Sequence, residues 1–166
     1  MRYVIERFVR LVKYSLVSSV LSSSAVLLCI WGVQNEQTIA EIIIPIIFWA
    51  GLIFEQYFLW DANRLLKKIE KNNKIKKIRN LPGIISIAKT RLGLIADCVL
   101  ISALIGFVIL FIGNLGEHFT QYILLFFIVL SFRIHCIANG KNYRYKNYLL
   151  HERGKRHDEK SKEKRN

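Results

Sequence analysis

The chain is poor in cysteine, and its three cysteines lack the spacing of a structural or catalytic cluster. Cys29, Cys98 and Cys136 each lie alone in a separate apolar stretch. An odd number without CxxC spacing argues against a disulfide framework and against a zinc site. The sequence also lacks a phosphate-binding glycine loop, a prenylation box, a nucleophile elbow and an internal repeat. We therefore expect no cofactor, no bound metal and no enzymatic activity.

Acidic residues are also scarce, with 12 Asp and Glu against 25 Lys and Arg and a formal net charge of +13. In a soluble domain this imbalance would suggest a nucleic-acid partner. Hydrophobic residues nevertheless make up 52% of the chain, and the basic residues are separated from apolar runs of membrane-spanning length. This separation indicates an integral membrane protein rather than a soluble nucleic-acid-binding domain.

Four apolar stretches are long enough to cross a bilayer, which takes about 20 mostly apolar residues for a hydrocarbon core about 30 Å thick. An open sheet edge cannot satisfy its backbone in hydrocarbon, so each stretch is predicted to be a helix. The expected fold is an all-α four-transmembrane-helix bundle within residues 1–140, followed by a basic tail over 141–166 that is disordered at its end. The predicted spans are about 14–33, 39–60, 92–113 and 119–139.

Lysine and arginine are absent from the short links that follow the first and third spans. They lie instead before the first span, in the loop over 61–91 and from Lys141 onward, with Arg133 as the exception. Basic residues in short loops stay on the cytoplasmic side of a membrane. We therefore predict that both termini and the 61–91 loop are cytoplasmic.

The 61–91 loop begins as a basic amphipathic segment that continues the second span. Ala62, Leu65, Leu66 and Ile69 recur there at helical spacing. Such a segment is expected to anchor on the anionic inner leaflet, where each Lys or Arg contributes about 1 kcal/mol. No aromatic residue is interleaved to stack on bases, so direct nucleic-acid binding is not expected. The basic residues of this segment are Arg64, Lys67, Lys68, Lys71, Lys74, Lys76, Lys77 and Arg79.

Ionisable side chains are costly inside a membrane, yet Glu55, Asp97 and Arg133 lie within the predicted spans, together with His135. Counted from the span ends at about 1.5 Å per residue, the three charged residues lie roughly 7–12 Å inside the cytoplasmic boundary. Arg133 is therefore predicted to pair with Asp97, with Glu55 or with both, and His135 to be a polar partner in the same layer. Three interpretations stay open: a charge cluster that fixes helix packing, snorkelling towards the interface, and a transport or proton path.

Small residues mark the helix faces that are expected to pack closely. Ser15, Ser18 and Ser22 recur at helical spacing in the first span, and Ser102 and Gly106 are four apart in the third. Small side chains let helix backbones approach, and hydroxyls can bond across helices. These faces are predicted to pack the bundle internally, with a homo-oligomer as the alternative.

The layout of compact helical hairpins, minimal outer links and basic cytoplasmic segments resembles small polytopic bacterial inner-membrane exclusion and immunity proteins of the phage superinfection-exclusion type. The resemblance implies a multi-pass protein of the bacterial inner (cytoplasmic) membrane that blocks superinfecting phage DNA, conjugation or a toxin by binding an incoming channel or DNA-translocation component. Two alternatives stay open. One is a transport or secretion-channel subunit with an intramembrane charged gate, and the other is a holin-like lesion former.

Overall fold

A computed structural model describes residues 2–34, 38–72, 89–113 and 118–163, and these residues form five α-helices. The first four are long and apolar enough to cross a membrane. The predicted fold class, an all-α bundle of four spanning helices, is therefore confirmed, and the chain is a multi-pass membrane protein. The helices are α1 Arg2–Gln34, α2 Thr38–Asn72, α3 Arg91–Ile112, α4 His118–Asn139 and α5 Lys141–Glu163.

Two of the spanning helices are longer than the hydrocarbon core requires. With 33 and 35 residues, α1 and α2 are about 50 Å long at 1.5 Å per residue, against a core about 30 Å thick. The start of α1 packs against the end of α2 and against α5. The excess length of both helices therefore extends beyond the membrane at the same end of the bundle, which we call the basic end.

The helices pack in the order α2–α1–α4–α3. Two antiparallel hairpins, α1 with α2 and α3 with α4, are joined where α1 contacts α4. Large apolar side chains of the spans, such as Ile53 of α2 and Ile101 of α3, are exposed on the outside of the bundle. This arrangement suits a lipid environment. Lipid chains solvate apolar side chains, so these side chains do not have to be buried between helices.

An apolar core lies at the basic end, and we call it the basal cluster. It explains why α2 continues as a helix beyond the span, since the apolar side of that extension is buried against α1 and α5. Its members are Phe8, Leu11 and Val12 of α1, Ala62, Leu65, Leu66 and Ile69 of α2, and Tyr145 and Leu149 of α5.

The basal cluster involves two segments for which predictions were made from the sequence, the amphipathic segment and the tail. The apolar side of the amphipathic segment packs against protein, so it is not available to anchor on lipid, although Arg64, Lys67, Lys68 and Lys71 are exposed. The basic residues Lys74, Lys76, Lys77 and Arg79 lie outside the described residues. The tail forms α5, and Tyr145 and Leu149, four residues apart, give the start of this helix a buried apolar face.

Polar contacts surround the basal cluster. Arg7 pairs with Asp61 at 3.0 Å, and Lys141 pairs with Glu70 at 2.9 Å. Lys146 is only 7% exposed, and its Nζ lies 3.8 Å from the centroid of the Tyr143 ring, a cation–π contact. Burial lowers the pKa of Lys146 below its ordinary value of 10.5, and the charge of Lys13 lowers it further.

The small-residue face of α1 packs inside the bundle. Ser15, Ser18 and Ser22 are buried, and the Ser18 hydroxyl donates a hydrogen bond of 2.7 Å to the carbonyl oxygen of Gly51 in α2. A Cβ atom on Gly51 would lie 2.5 Å from the Cβ of Ser22. The close approach of α1 to α2 therefore needs glycine at position 51.

The face expected on α3 differs from the face that packs. Ser102 is exposed, and Gly106 is half-buried beside the side chain of Leu124. The buried residues of α3 are instead Gly93, Ala96, Asp97 and Ala103. Ser102 is adjacent to Ala103 in sequence and is therefore rotated by about 100° from the packed face.

Replacing Gly51 by alanine is expected to destabilise the bundle by about 1–3 kcal/mol, because the added methyl group overpacks the α1–α2 contact. Gly106→Ala is the matched control, since its Cβ would lie 3.5 Å from the nearest atom of Leu124, an ordinary contact distance. Unfolding by titration with a denaturing detergent measures the difference. Equal stability of the two variants would contradict the close approach at Gly51.

Lys146→Met is expected to raise the stability of the protein at neutral pH by removing a buried charge. Because the folded-state pKa of Lys146 lies below 10.5, the unfolded chain binds more protons between the two values, and wild-type stability rises with pH through that window. The advantage of the variant should therefore shrink as the pH approaches 10.5. Lys67→Met, at an exposed position of α2, should change stability by less than about 0.5 kcal/mol. A loss of stability in Lys146→Met at neutral pH would show that the cation–π contact outweighs the burial of the charge.

Candidate intramembrane charge site

Arg133 of α4 crosses the bundle to contact both α1 and α2. Its Nη2 atom donates to Oε2 of Glu55 in α2. Its Nη1 atom donates to two hydroxyls of α1, at 2.6 Å to Ser22 and 3.1 Å to Ser23, and lies 3.3 Å from the carbonyl oxygen of Ser19. We call these five residues the arginine site. One guanidinium group thus joins three helices.

The local sequence of α1 explains why the arginine site forms there. Ser19, Ser22 and Ser23 lie on one side of the helix, because residues three and four apart are neighbours on a helix surface. The Ser22 hydroxyl donates to the carbonyl oxygen of Ser18 at 2.7 Å, which leaves its oxygen lone pairs free to accept from Arg133. The serine face therefore presents acceptors, which a guanidinium with five N–H donors requires.

Burial makes the ion pair between Arg133 and Glu55 energetically important. The side chains of Arg133 and Glu55 are 11% and 7% exposed. In such surroundings the attraction between opposite charges and the cost of an unpaired charge are both much larger than in water. The pair is therefore expected to fix the position of α4 relative to α1 and α2.

A second polar group, the histidine network, lies between α3 and α4. Nδ1 of His135 is hydrogen-bonded to Oδ1 of Asp97 and lies 3.1 Å from the side-chain nitrogen of Asn139. Oδ1 of Asn139 accepts from the backbone nitrogen of Lys89 at 3.1 Å. Asp97, His135 and Asn139 are all buried. The network therefore ties the start of α3 to the end of α4.

The start of α3 is shaped to fit this network. Thr90 caps the helix, since its hydroxyl accepts from the backbone nitrogen of Gly93 at 3.0 Å and donates to the carbonyl oxygen of Ala138 at 3.2 Å. A Cβ atom on Gly93 would lie 2.1 Å from Oδ1 of Asn139. Glycine at position 93 therefore makes room for the Asn139 side chain.

The structure brings the four predicted polar residues together as two pairs rather than one layer. Arg133 takes Glu55 as its partner, which was one of the predicted alternatives, while Asp97 is bonded to His135. Arg133 and His135 are two residues apart on α4, so their side chains leave the helix about 200° apart. The sequence predicted similar depths for these residues, but it did not predict the direction in which each side chain leaves α4, and that direction separates the two pairs.

Thr90, Gly93 and Asn139 were not predicted from the sequence as site residues. The small residues Gly93, Ala96 and Ala103 recur at helical spacing, and this spacing was the available signal for the packed face of α3. Asn139 precedes Gly140 at the end of the fourth apolar run and was taken only as the boundary of a span. Among the described residues, no three His, Cys, Asp or Glu side chains lie close enough to hold a metal ion.

Arg133→Leu is expected to cost about 3–5 kcal/mol of stability, because it leaves the carboxylate of Glu55 buried without its counter-charge. The double variant Arg133→Leu/Glu55→Leu should recover most of that loss, since it leaves neither charge unpaired. Arg133→Lys should be intermediate, because a single ammonium cannot reproduce the forked contacts to α1 and α2. Detergent-induced unfolding of the wild type and these three variants measures the differences in stability.

The control for this series is Arg64→Leu, at an exposed position of α2. We expect it to change stability by less than about 0.5 kcal/mol. If Arg133→Leu and Arg133→Lys were both as stable as the wild type, the guanidinium would be reaching water rather than holding the helices together.

No known protein family, curated protein or solved structure matches this chain.

Proposed function

We propose that this protein is a blocking protein of the bacterial cytoplasmic membrane that excludes superinfecting phage DNA. In this proposal it binds a component of an incoming injection or translocation channel through its exposed helix faces and stops that channel from working. The observation that carries the proposal is the arginine site, in which Arg133 is bonded to α1 and α2 at once. Such a site favours a protein that keeps one arrangement of its helices and acts by binding a partner on its outer surface.

The proposed orientation has both termini and the 61–91 loop in the cytoplasm. The start of α1, the end of α2 and the start of α5 pack together, so the described parts of the three basic segments meet at one end of the bundle. Lysine and arginine are retained on the cytoplasmic side during membrane insertion. Their common location supports a cytoplasmic basic end.

The serine face favours blocking over transport. A transporter would need a polar path through the bundle, and the hydroxyls of α1 were the candidates to line it. Ser18 is bonded to Gly51 of α2, and Ser22 and Ser23 accept from Arg133, so these hydroxyls are engaged in helix packing. A gate would also have to break the buried Arg133–Glu55 pair, at a cost of several kcal/mol.

The exposed faces of the spans supply the surface that a blocking protein needs. Ile101 and Ile105 of α3 are more than half exposed, as are Ile53 and Phe54 of α2. Packing between membrane helices depends on shape and on interhelical hydrogen bonds rather than on the hydrophobic effect. An apolar surface of this kind can therefore receive the helices of another membrane protein.

The proposal is tested by expressing the gene alone in a sensitive host and challenging the cells with phage, with conjugation and with pore-forming toxins. We expect normal growth, a normal membrane potential and unchanged phage adsorption, together with a large fall in phage-genome uptake. If the cells were protected only against conjugation, or only against a toxin, the excluded agent would be conjugative DNA or that toxin rather than phage DNA. Lysis on expression would replace the proposal with a holin, and ion-dependent uptake without protection would replace it with a transporter.

The orientation is tested in the same cells with a single cysteine placed at Asn114, after the native cysteines are replaced by serine or alanine. A membrane-impermeant thiol reagent added outside intact cells should label this position, and a cysteine at Lys67 should react only after the membrane is opened. The reverse result would overturn the proposed orientation.

A further inference from the structure

An apolar groove of about 190 Å³ lies on the surface between α3 and α4. Ser131 lines it, but its hydroxyl donates back to the carbonyl oxygen of Phe127 and so adds no free polar group to the wall. The groove is therefore suited to an apolar ligand. The other side chains that form its walls include Leu92, Ile95 and Val99 of α3 and Phe127, Leu130 and Ile134 of α4.

The dimensions of the groove fit a lipid chain. From Leu92 to Val99 it covers seven helical steps, or about 10 Å along α3. One leaflet of hydrocarbon is about 15 Å deep, half of the 30 Å core. The groove thus covers most of one leaflet, starting at the basic end.

Basic side chains lie where the headgroup of such a lipid would be. Arg91 precedes Ile95 by four residues and Val99 by eight, so it lies on the groove side of α3, one turn nearer the membrane boundary. Arg91 and the nearby Lys89 are exposed. The first turn of α3 contains no acidic residue, and the buried carboxylate of Asp97 is bonded to His135. The mouth of the groove is therefore positively charged.

We propose that this groove is a binding site for one anionic phospholipid of the leaflet at the basic end. One acyl chain lies along Leu92, Ile95 and Val99, and the phosphate is bound by the guanidinium of Arg91, with Lys89 adding positive charge. Guanidinium groups match phosphate oxygens in bidentate geometry. The site does not depend on the proposed blocking function, and either can fail without the other.

The test is native mass spectrometry of the full chain in a mild detergent, titrated with phosphatidylglycerol or with phosphatidylcholine. We expect one phosphatidylglycerol to be retained in preference to phosphatidylcholine. Arg91→Gln should weaken this binding about fivefold, the ratio that corresponds to about 1 kcal/mol for one basic residue at a membrane surface. Arg64→Gln, an exposed arginine of α2 at the same end, is the matched control and should keep the wild-type affinity.

A second pair of variants tests the groove itself. Val99→Trp should fill it and reduce the retention of both lipids, whereas Ile101→Trp, about 200° away on α3, should leave retention unchanged. An equal loss in Arg91→Gln and Arg64→Gln would overturn the site in favour of general attraction to a basic surface. Unchanged retention in both Arg91→Gln and Val99→Trp would also overturn it. So would a wild-type dimer that Val99→Trp dissociates, because the groove would then hold a second copy of the chain.

Discussion

A guanidinium group in hydrocarbon must take its hydrogen-bond partners from the protein, and Arg133 takes them from two other helices. Its bonds to Glu55 and to the serines of α1 join α4 to the α1–α2 hairpin. The order of the helices follows from this requirement: α1 lies between α2 and α4, where its serine face can serve both neighbours. An exposed arginine could have been satisfied by water in many arrangements. A buried arginine can be satisfied in only a few arrangements, so its hydrogen-bond requirement determines how the helices pack.

The spans and the basic end of the bundle are stabilised in opposite ways. Within the spans the buried side chains include serines and charged residues, such as Ser19, Ser22 and Glu55, while large apolar side chains are exposed to the surroundings. At the basic end the apolar side chains of the basal cluster are buried, and Arg64 and Lys67 are exposed. The difference has one physical cause. Burial of apolar surface stabilises a structure only where water is the alternative, and within lipid it is polar contacts and close packing that distinguish one arrangement from another.

Apolar length was sufficient to predict the number of spans, and residue depth was sufficient to place Glu55 at the level of Arg133. Depth could not decide between Glu55 and Asp97, because the choice depends on the direction in which each side chain leaves its helix, and His135 competes for Asp97. The packed face of α3 was missed for the same reason: Ser102 and Gly106 had the right residue types, but Gly93, Ala96 and Ala103 face α4. The packing of the start of α5 could not be predicted from composition, because it depends on burying Tyr145 and Leu149 against residues far away in sequence.

The attachment of α3 differs from that of the other spans. Its packing partner in the bundle is α4, and the polar contacts between the two are concentrated at the basic end, where Lys89 and Thr90 bond to the end of α4 and Asp97 bonds to His135. Towards the other end, side chains such as Ile105 and Ile109 are exposed, and a Cβ atom added at Gly106 would lie 3.5 Å from Leu124. Hydrocarbon provides no hydrophobic force to press this half of α3 inward. The half of α3 distant from the histidine network is therefore held to α4 by close packing, in contrast to the hydrogen bonds described at the basic end.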